Sequence, residues 1–222
     1  MNTVATSPAH TDVSDNVLFQ RFQAGEQEAF AALVSRYQRE LFGYLARFTG
    51  DAMLADDIFQ ETFLQVYQSA ALFDSDRPFR PWLYTVASNK ARDALRKVGR
   101  HTTAPLDAVV PGNAGRDGTY ADVMPANIPT PDEALMNLQT RQAVQSMVKE
   151  MPDGLREVLI LSYFQELPHK DIAETLSIPV GTVKSRLHNA VRLFAEKWKI
   201  YAAKQSNITA DSPQANPSEG MN

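Results

Sequence analysis

The chain contains no cysteine, which excludes disulfides, thiolate metal sites, cysteine nucleophiles and thiol-based redox sensing. Long apolar runs are also missing. The longest apolar cluster, Val158 to Leu161, falls far short of the ~20 residues needed to span a bilayer, so no membrane insertion is expected. The N-terminus, MNTVATSPAHTDVSDN, lacks a basic start followed by an apolar stretch and does not read as a signal peptide. Asn207-Ile208-Thr209 matches a glycosylation acceptor only formally, and a cytoplasmic location is the simplest expectation. No stretch alternates with period two for long, so no strands are expected. The histidines, His10, His101, His169 and His188, are scattered, and His169-Lys170-Asp171 lacks the spacing of a zinc helix. There is no Gly-x-Ser-x-Gly elbow and no Walker loop. Gly112, Gly115 and Gly118 have no strand before them and no Lys-Ser/Thr after them. The expectation is therefore no metal, no cofactor and no catalytic activity.

What the chain does have is length, apolar content and segregated charge. Its 222 residues suit two compact units and a connector better than one domain of ~150 residues. A hydrophobic share of 44% is ordinary for a globular protein. The net charge of -4 and pI near 5.6 argue against a protein that grips nucleic acid by charge alone. The distribution is more telling than the total. Residues 49–76 carry six acids and no Lys or Arg. Residues 77–100 hold seven bases against Asp93 alone, a local net of +6. Residues 170–204 hold seven bases against three acids, a local net of +4.

Residues 15–100 read as helices throughout. Phe30, Leu33, Val34, Tyr37, Leu41, Tyr44, Leu45 and Phe48 recur at three- and four-residue steps, the mark of a helix burying one stripe. After Gly50 and Asp51 a second helix is expected from about Leu54 to Leu72. A third is expected to start at Pro81, where the first turn tolerates proline, and to reach about Val98. Pro105, Pro111, Pro125, Pro129 and Pro131 then mark a linker over 101–131 with little to bury. Helices resume at about Asp132, break at Met151 to Gly154, at Leu167-Pro168 and at Ser177 to Pro179, and end near Lys199. The expected organisation is thus all-α: an extension over 1–14, a helical domain over 15–100, the linker, a helical domain over 132–200, and a disordered tail over 201–222.

Three constellations carry functional content. Asp171 to Leu176, the turn Ser177-Ile178-Pro179, and Val180 to Leu187 follow the helix-turn-helix plan, with small Ala173 where two helices must approach. On a helical wheel Val180, Val183, Leu187, Ala190, Val191, Phe194 and Trp198 form the buried side. Thr182, Ser185, Asn189 and Arg192 face the other way, flanked by Lys184, Arg186 and His188. Hydroxyl, amide and cationic groups of this kind suit base edges and phosphates in a major groove. The bland alternative is two helices with a solvated basic face. On the helix after Pro81, Leu83, Ala87, Ala91, Ala94 and Val98 share the buried side, while Thr85, Asn89, Arg92 and Arg96 share the opposite one. Trp82 lies beside Asn89 on its edge. An aromatic plate near amide and guanidinium groups is what single-stranded bases use for stacking and charge neutralisation; the alternative for Trp82 is a place in the core. Third, Asp56, Asp57, Gln60 and Glu61 form an acidic and amide patch that is either a solvated face or the docking site of a basic protein partner.

These residues resemble the extracytoplasmic-function, or group IV, sigma factors of bacterial RNA polymerase over residues 15–200. Ala29-Phe30 with Leu33-Val34-x-Arg36-Tyr37 is similar to the family's region 2.1, and Ala55 to Phe63 to region 2.2. Trp82 through Asn89, Asp93 and Arg96 resembles regions 2.3 and 2.4, and Val180 to Leu187 the region 4.2 recognition helix. The resemblance implies that Asp57, Gln60 and Glu61 bind the β′ coiled coil of core RNA polymerase. It implies that Trp82, Asn89, Arg92 and Arg96 melt and read the −10 element of promoter DNA. It further implies that Thr182, Lys184, Ser185, Arg186, His188, Asn189 and Arg192 face the −35 element, and that an anti-sigma factor is a partner. The chain departs from the family at Glu166, where many members have Gly, and at His188 and Asn189, where a basic or aromatic residue is common. Two other readings stay open at this stage: a stand-alone helix-turn-helix regulator, and a helical adaptor with no DNA role.

Overall fold

The structure, a computed structural model, describes residues 13–98 and 134–210. The expected linker over 101–131 and most of both terminal extensions lie outside the described residues. Among these residues the chain forms eight α-helices, a short 3-10 turn and no strand.

The first half holds α1 (Asp15–Gln23), α2 (Gln27–Thr49), α3 (Ala52–Gln68) and α4 (Phe79–Val98). Ser14 caps α1 by accepting a hydrogen bond from the Val17 N–H at 3.4 Å. Gly50 ends α2 in the left-handed region, φ 70°, where glycine carries no Cβ penalty. A Cβ here would also lie 2.8 Å from Cε of Lys149. Asp51 then caps α3, its Oδ1 accepting from the N–H groups of Met53 and Leu54 at 2.8 and 3.2 Å. The expected second helix is therefore shifted: α3 starts at Ala52, stops at Gln68 and yields to the 3-10 turn Ala70–Leu72. The third expected helix, α4, opens two residues before Pro81. One side chain explains that start, since the Phe79 N–H donates to Asn16 Oδ1 at 2.8 Å while Asn16 Nδ2 donates to the carbonyls of Ser75 and Arg77. Pro81 remains inside the first turn, where an N–H has no intrahelical partner to lose.

These four helices bury Leu33, Tyr37, Leu41, Tyr44, Leu45 and Phe48 from α2, as the spacing predicts, with Phe30 and Val34 half-buried. An aromatic cluster ties α1 to α4: Phe19 lies 5.0 Å from Phe73, 4.9 Å from Phe79 and 5.5 Å from Trp82, ring centre to ring centre. On α4, Leu83, Ala87 and Ala91 are buried as expected. Val98 is 69% exposed, contrary to the wheel, because α4 outruns the helices that cover it.

The second half holds α5 (Ala134–Lys149), α6 (Asp153–Tyr163), α7 (His169–Leu176) and α8 (Val180–Ala210). α6 is buried continuously from Arg156 to Leu161, two charged residues followed by four apolar ones, as in a helix enclosed by its neighbours. Between α6 and α7, Glu166 takes φ 52°. This is the left-handed region, where a side chain carries a Cβ penalty that glycine does not. Ser177 adopts φ 54° in the turn between α7 and α8, and the Ile178 N–H reaches the Ala173 carbonyl at 3.0 Å. α8 runs eleven residues beyond its expected end at Lys199 and spans 31 residues, ~46 Å at 1.5 Å per residue. Of its expected buried side, Val183, Leu187 and Ala190 are buried, Val191, Phe194 and Trp198 are half-buried, and Val180 at the first turn is exposed. The buried residues of both halves join in one continuous apolar cluster. No helix of the described residues is long and apolar enough to cross a membrane.

Candidate nucleic-acid and protein interfaces

The acidic patch stands on the outer side of α3. Ile58, Phe63 and Val66 point into the core, which leaves Asp56, Asp57, Gln60 and Glu61 exposed. Gln60 Nε2 donates to Asp56 Oδ2 at 2.9 Å, one helical turn away. Glu61 lies 3.6 Å from Lys90 Nζ, so the acidic face of α3 meets the basic face of α4 along one edge. Three large apolar side chains share the α3 surface: Met53 is 78%, Leu64 58% and Tyr67 47% exposed. An exposed strip that mixes carboxylates with Met and Leu is better suited to a protein surface than to solvent.

The expected single-strand face of α4 is only partly free. Asn89 and Arg96 are exposed, and Arg96 Nη1 pairs with Asp93 at 2.7 Å. Trp82 is half-buried, its ring 4.4 Å from Phe73. Both readings of Trp82 thus meet in one residue: the indole braces the start of α4 against α1 and keeps part of its surface in solvent. Arg92 departs furthest from expectation. It turns inward, donating to the Ser88 carbonyl at 3.2 Å and to Asn89 Oδ1 at 3.0 Å, and its Nε lies 3.6 Å from Glu157 of α6.

On the helix-turn-helix, Lys184, Ser185, His188 and Arg192 are exposed, while Thr182, Arg186 and Asn189 are half-buried. Ser185 Oγ donates to the Thr182 carbonyl at 3.1 Å, and Arg192 lies 4.0 Å from Glu196. The first turn of α8 is uncluttered: nothing lies within 4 Å of a Cβ placed at Gly181. The recognition face therefore stays open to a ligand although α7 is packed against α4.

A buried polar network between the halves has no counterpart in the sequence reading. Glu157 is 4% exposed and Tyr44 and Ser88 are fully buried. The Tyr44 hydroxyl lies 2.7 Å from Ser88 Oγ and donates to Glu157 Oε1 at 3.3 Å. Burial pushes the Glu157 carboxyl up to about 7, against the opposing pull of Arg92. Burial, then the Glu157 charge, raises the Tyr44 phenol well above its usual range, so Tyr44 keeps its proton. A second group lies beside it. The Tyr84 hydroxyl lies 2.6 Å from Gln165 Oε1 and 2.7 Å from Glu40 Oε1 and donates its one proton between these two acceptors, while Arg80 reaches Glu40 at 2.5 Å and the Gln165 carbonyl at 2.7 Å. Arg77 pairs with Glu174, and Thr175 Oγ1 donates to the Pro81 carbonyl at 3.4 Å. Arg156 is likewise buried; it bonds Asp153 and the Lys149 carbonyl and lies over the Phe48 ring, but its Nε has no partner. The signal for this network was available in Arg156-Glu157, two charged residues abutting four consecutive apolar ones on a short helix. No cluster of metal-ligating side chains occurs among the described residues.

Comparison with known proteins gives this geometry a context. Residues 33–101 match the family model for sigma-70 region 2, and residues 141–193 match that for sigma-70, region 4. The chain is 35% identical over 169 residues to the ECF RNA polymerase sigma factor SigW of Bacillus subtilis, covering 76% of this chain and 88% of the relative. It is 34% identical over 182 residues to the RNA polymerase sigma-H factor of Pseudomonas aeruginosa, covering 81% and 91%. The fold is similar to that of CnrH, solved in complex with the cytosolic domain of CnrY, with a TM-score of 0.59 at 24% identity over 89% of this chain and 99% of that one. It is also similar to the sigma factor RpoE of Bartonella quintana, solved with the anti-sigma factor NepR, with a TM-score of 0.57 at 20% identity over 77% and 97%.

Proposed function

The chain belongs to the extracytoplasmic-function group of the sigma-70 family, and from that membership we infer how its surfaces divide the work of transcription initiation. Asp57, Gln60 and Glu61 on α3 bind core RNA polymerase at the β′ coiled coil, with Met53 and Leu64 adding apolar area around the charges. Asn89, Arg92, Arg96 and the exposed part of Trp82 open and read the −10 element. Thr182, Lys184, Ser185, Arg186, His188, Asn189 and Arg192 dock the −35 major groove. The protein acts in the cytoplasm as a specificity subunit and not as a catalyst, and an anti-sigma factor is its regulatory partner.

The observation that carries this reading is the exposed strip of acid, amide and apolar side chains on α3, set edge to edge with a basic α4 and followed by an open helix-turn-helix. A stand-alone regulator leaves the α3 strip without a role and needs a dimer to bring two half-sites into register. The charge balance favours the subunit too. Only seven bases against three acids serve the recognition module, so free protein binds duplex weakly at physiological salt. Polymerase supplies further phosphate contacts and holds both reading elements at one promoter, which raises their effective concentration. Run-off transcription from a randomised promoter library tests the reading. Core polymerase with this protein is expected to enrich one motif pair at −35 and −10, and absence of enrichment over core alone would overturn it.

A further inference from the structure

Two amide side chains of α1 direct every donor they have at the segment that leads into α4. Asn16 Nδ2 donates to the carbonyls of Ser75 and Arg77 at 3.1 and 2.8 Å, and its Oδ1 accepts from the Phe79 N–H at 2.8 Å. Gln23 lies two turns further along the same face of α1. It donates from Nε2 to the carbonyls of Ala70 and Phe73 at 2.7 and 3.2 Å, and its Oε1 accepts from Ser75 Oγ at 2.9 Å. An amide carries two donor hydrogens, so the donors of both groups are fully used on residues 70–79.

Folding alone does not call for this arrangement. Leu18, Phe19 and Phe22 already anchor α1 in the core, and Asp15 pairs with Arg36 and accepts from the Tyr37 hydroxyl at 2.5 Å. Carbonyls of a surface loop can be left to water. What the amides do fix is the backbone of two aromatic residues: Gln23 binds the carbonyl of Phe73, and Asn16 binds the N–H of Phe79. These are the residues that seat Trp82. The indole lies 4.4 Å from the Phe73 ring, 5.9 Å from Phe79 and 5.5 Å from Phe19. α1 thus supplies one wall of the seat through Phe19 and pins the backbone behind the other two. Because Trp82 is only half-buried, that seat decides how far the indole stands out of the surface and at what tilt. A stacking plate is useful only if it holds its place when a base arrives, which calls for support from behind.

We propose that Asn16 and Gln23 are positioning residues for promoter opening: through Phe73 and Phe79 they hold the Trp82 indole where an unpaired base can stack on it. The role in opening rests on the assignment of Trp82 to the −10 element; the seating of the indole does not.

Trp82 and Trp198 are the only tryptophans, so in a Trp198→Phe background the fluorescence reports Trp82 alone. Asn16→Leu and Gln23→Met keep side-chain bulk and remove the amides. In the free, full-length protein each is expected to raise acrylamide quenching of Trp82, with helicity by circular dichroism retained. Each is also expected to bind core polymerase as the parent does in gel filtration. Run-off transcription from a duplex promoter drawn from the randomised library should fall about tenfold, the size of one stacked base. It should recover on the same promoter mismatched across −10, where no pair has to be opened. No rise in quenching in either variant, full activity on the duplex, or an equal loss on the mismatched template overturns the proposal. If Asn16→Leu loses helicity, Gln23→Met decides, because Gln23 is exposed. If both lose it, the amides hold the fold and not the indole, and the proposal falls. A parent that starts no transcript from any promoter would instead refute the sigma-factor reading and leave the fluorescence result standing.

Discussion

The buried carboxyl of Glu157 makes a quantitative forecast about stability and pH. Burial moves this group from its ordinary 4.5 to about 7 in the folded protein. A raised acid binds its proton more tightly in the folded than in the unfolded state. The folded state is therefore favoured in full below pH 4.5, and the advantage disappears as pH rises through 7. At ~1.36 kcal/mol per unit the whole span is about 3 kcal/mol, of which about 2 kcal/mol falls between pH 5.5 and 8.5. Glu157→Gln keeps the shape of the side chain and cannot ionise. Urea unfolding of parent and variant across this range is the assay, and the difference between them isolates Glu157, because His169 and His188 are common to both. The parent should lose about 2 kcal/mol relative to the variant on going from pH 5.5 to 8.5. Parallel stability curves would refute the argument. So would a parent that gains on the variant with rising pH, since that would mean Arg92 outweighs burial.

Three further outcomes follow from the structure. Glu166→Gly should stabilise the protein by about 1 kcal/mol in chemical denaturation, because Glu166 is held at φ 52°, where an L side chain is strained by 1–2 kcal/mol; a loss would show that its side chain compensates. Asp57→Lys combined with Gln60→Ala should abolish binding to core polymerase in gel filtration, with unfolding free energy unchanged within about 0.5 kcal/mol because both residues are exposed. Asn89→Ala should leave polymerase binding intact and change the preferred −10 bases in run-off transcription; equal loss of polymerase binding in this variant and the last would show that the two faces are not separate.

Much of the fold was legible because apolar residues repeat at helical spacing. The stripe from Phe30 to Phe48 lies on the buried side of α2, and Ser177 to Pro179 forms the turn of a helix-turn-helix. Boundaries were less legible where a distant group sets them. Asn16 fixes the start of α4 from 63 positions away, and nothing near Pro81 announces that. The far end of α8 was missed because Ser206 to Ala210 is polar and carries no apolar stripe. The exposed α3 patch was readable, since position on a wheel and exposure agree there. Arg92 was not: its wheel position points outward, yet Glu157, 65 residues later in the chain, draws it in. Local pattern encodes which face of a helix is apolar; it does not encode which buried acid from another helix meets a given arginine.

Gel filtration of the purified chain with core RNA polymerase, paired with duplex binding by the free chain at physiological salt, tests the central claim most directly. Co-elution with polymerase and weak binding of the free protein to duplex is the predicted result. Failure to co-elute, together with tight and salt-sensitive duplex binding by the chain alone, would contradict it and point to a stand-alone helix-turn-helix regulator.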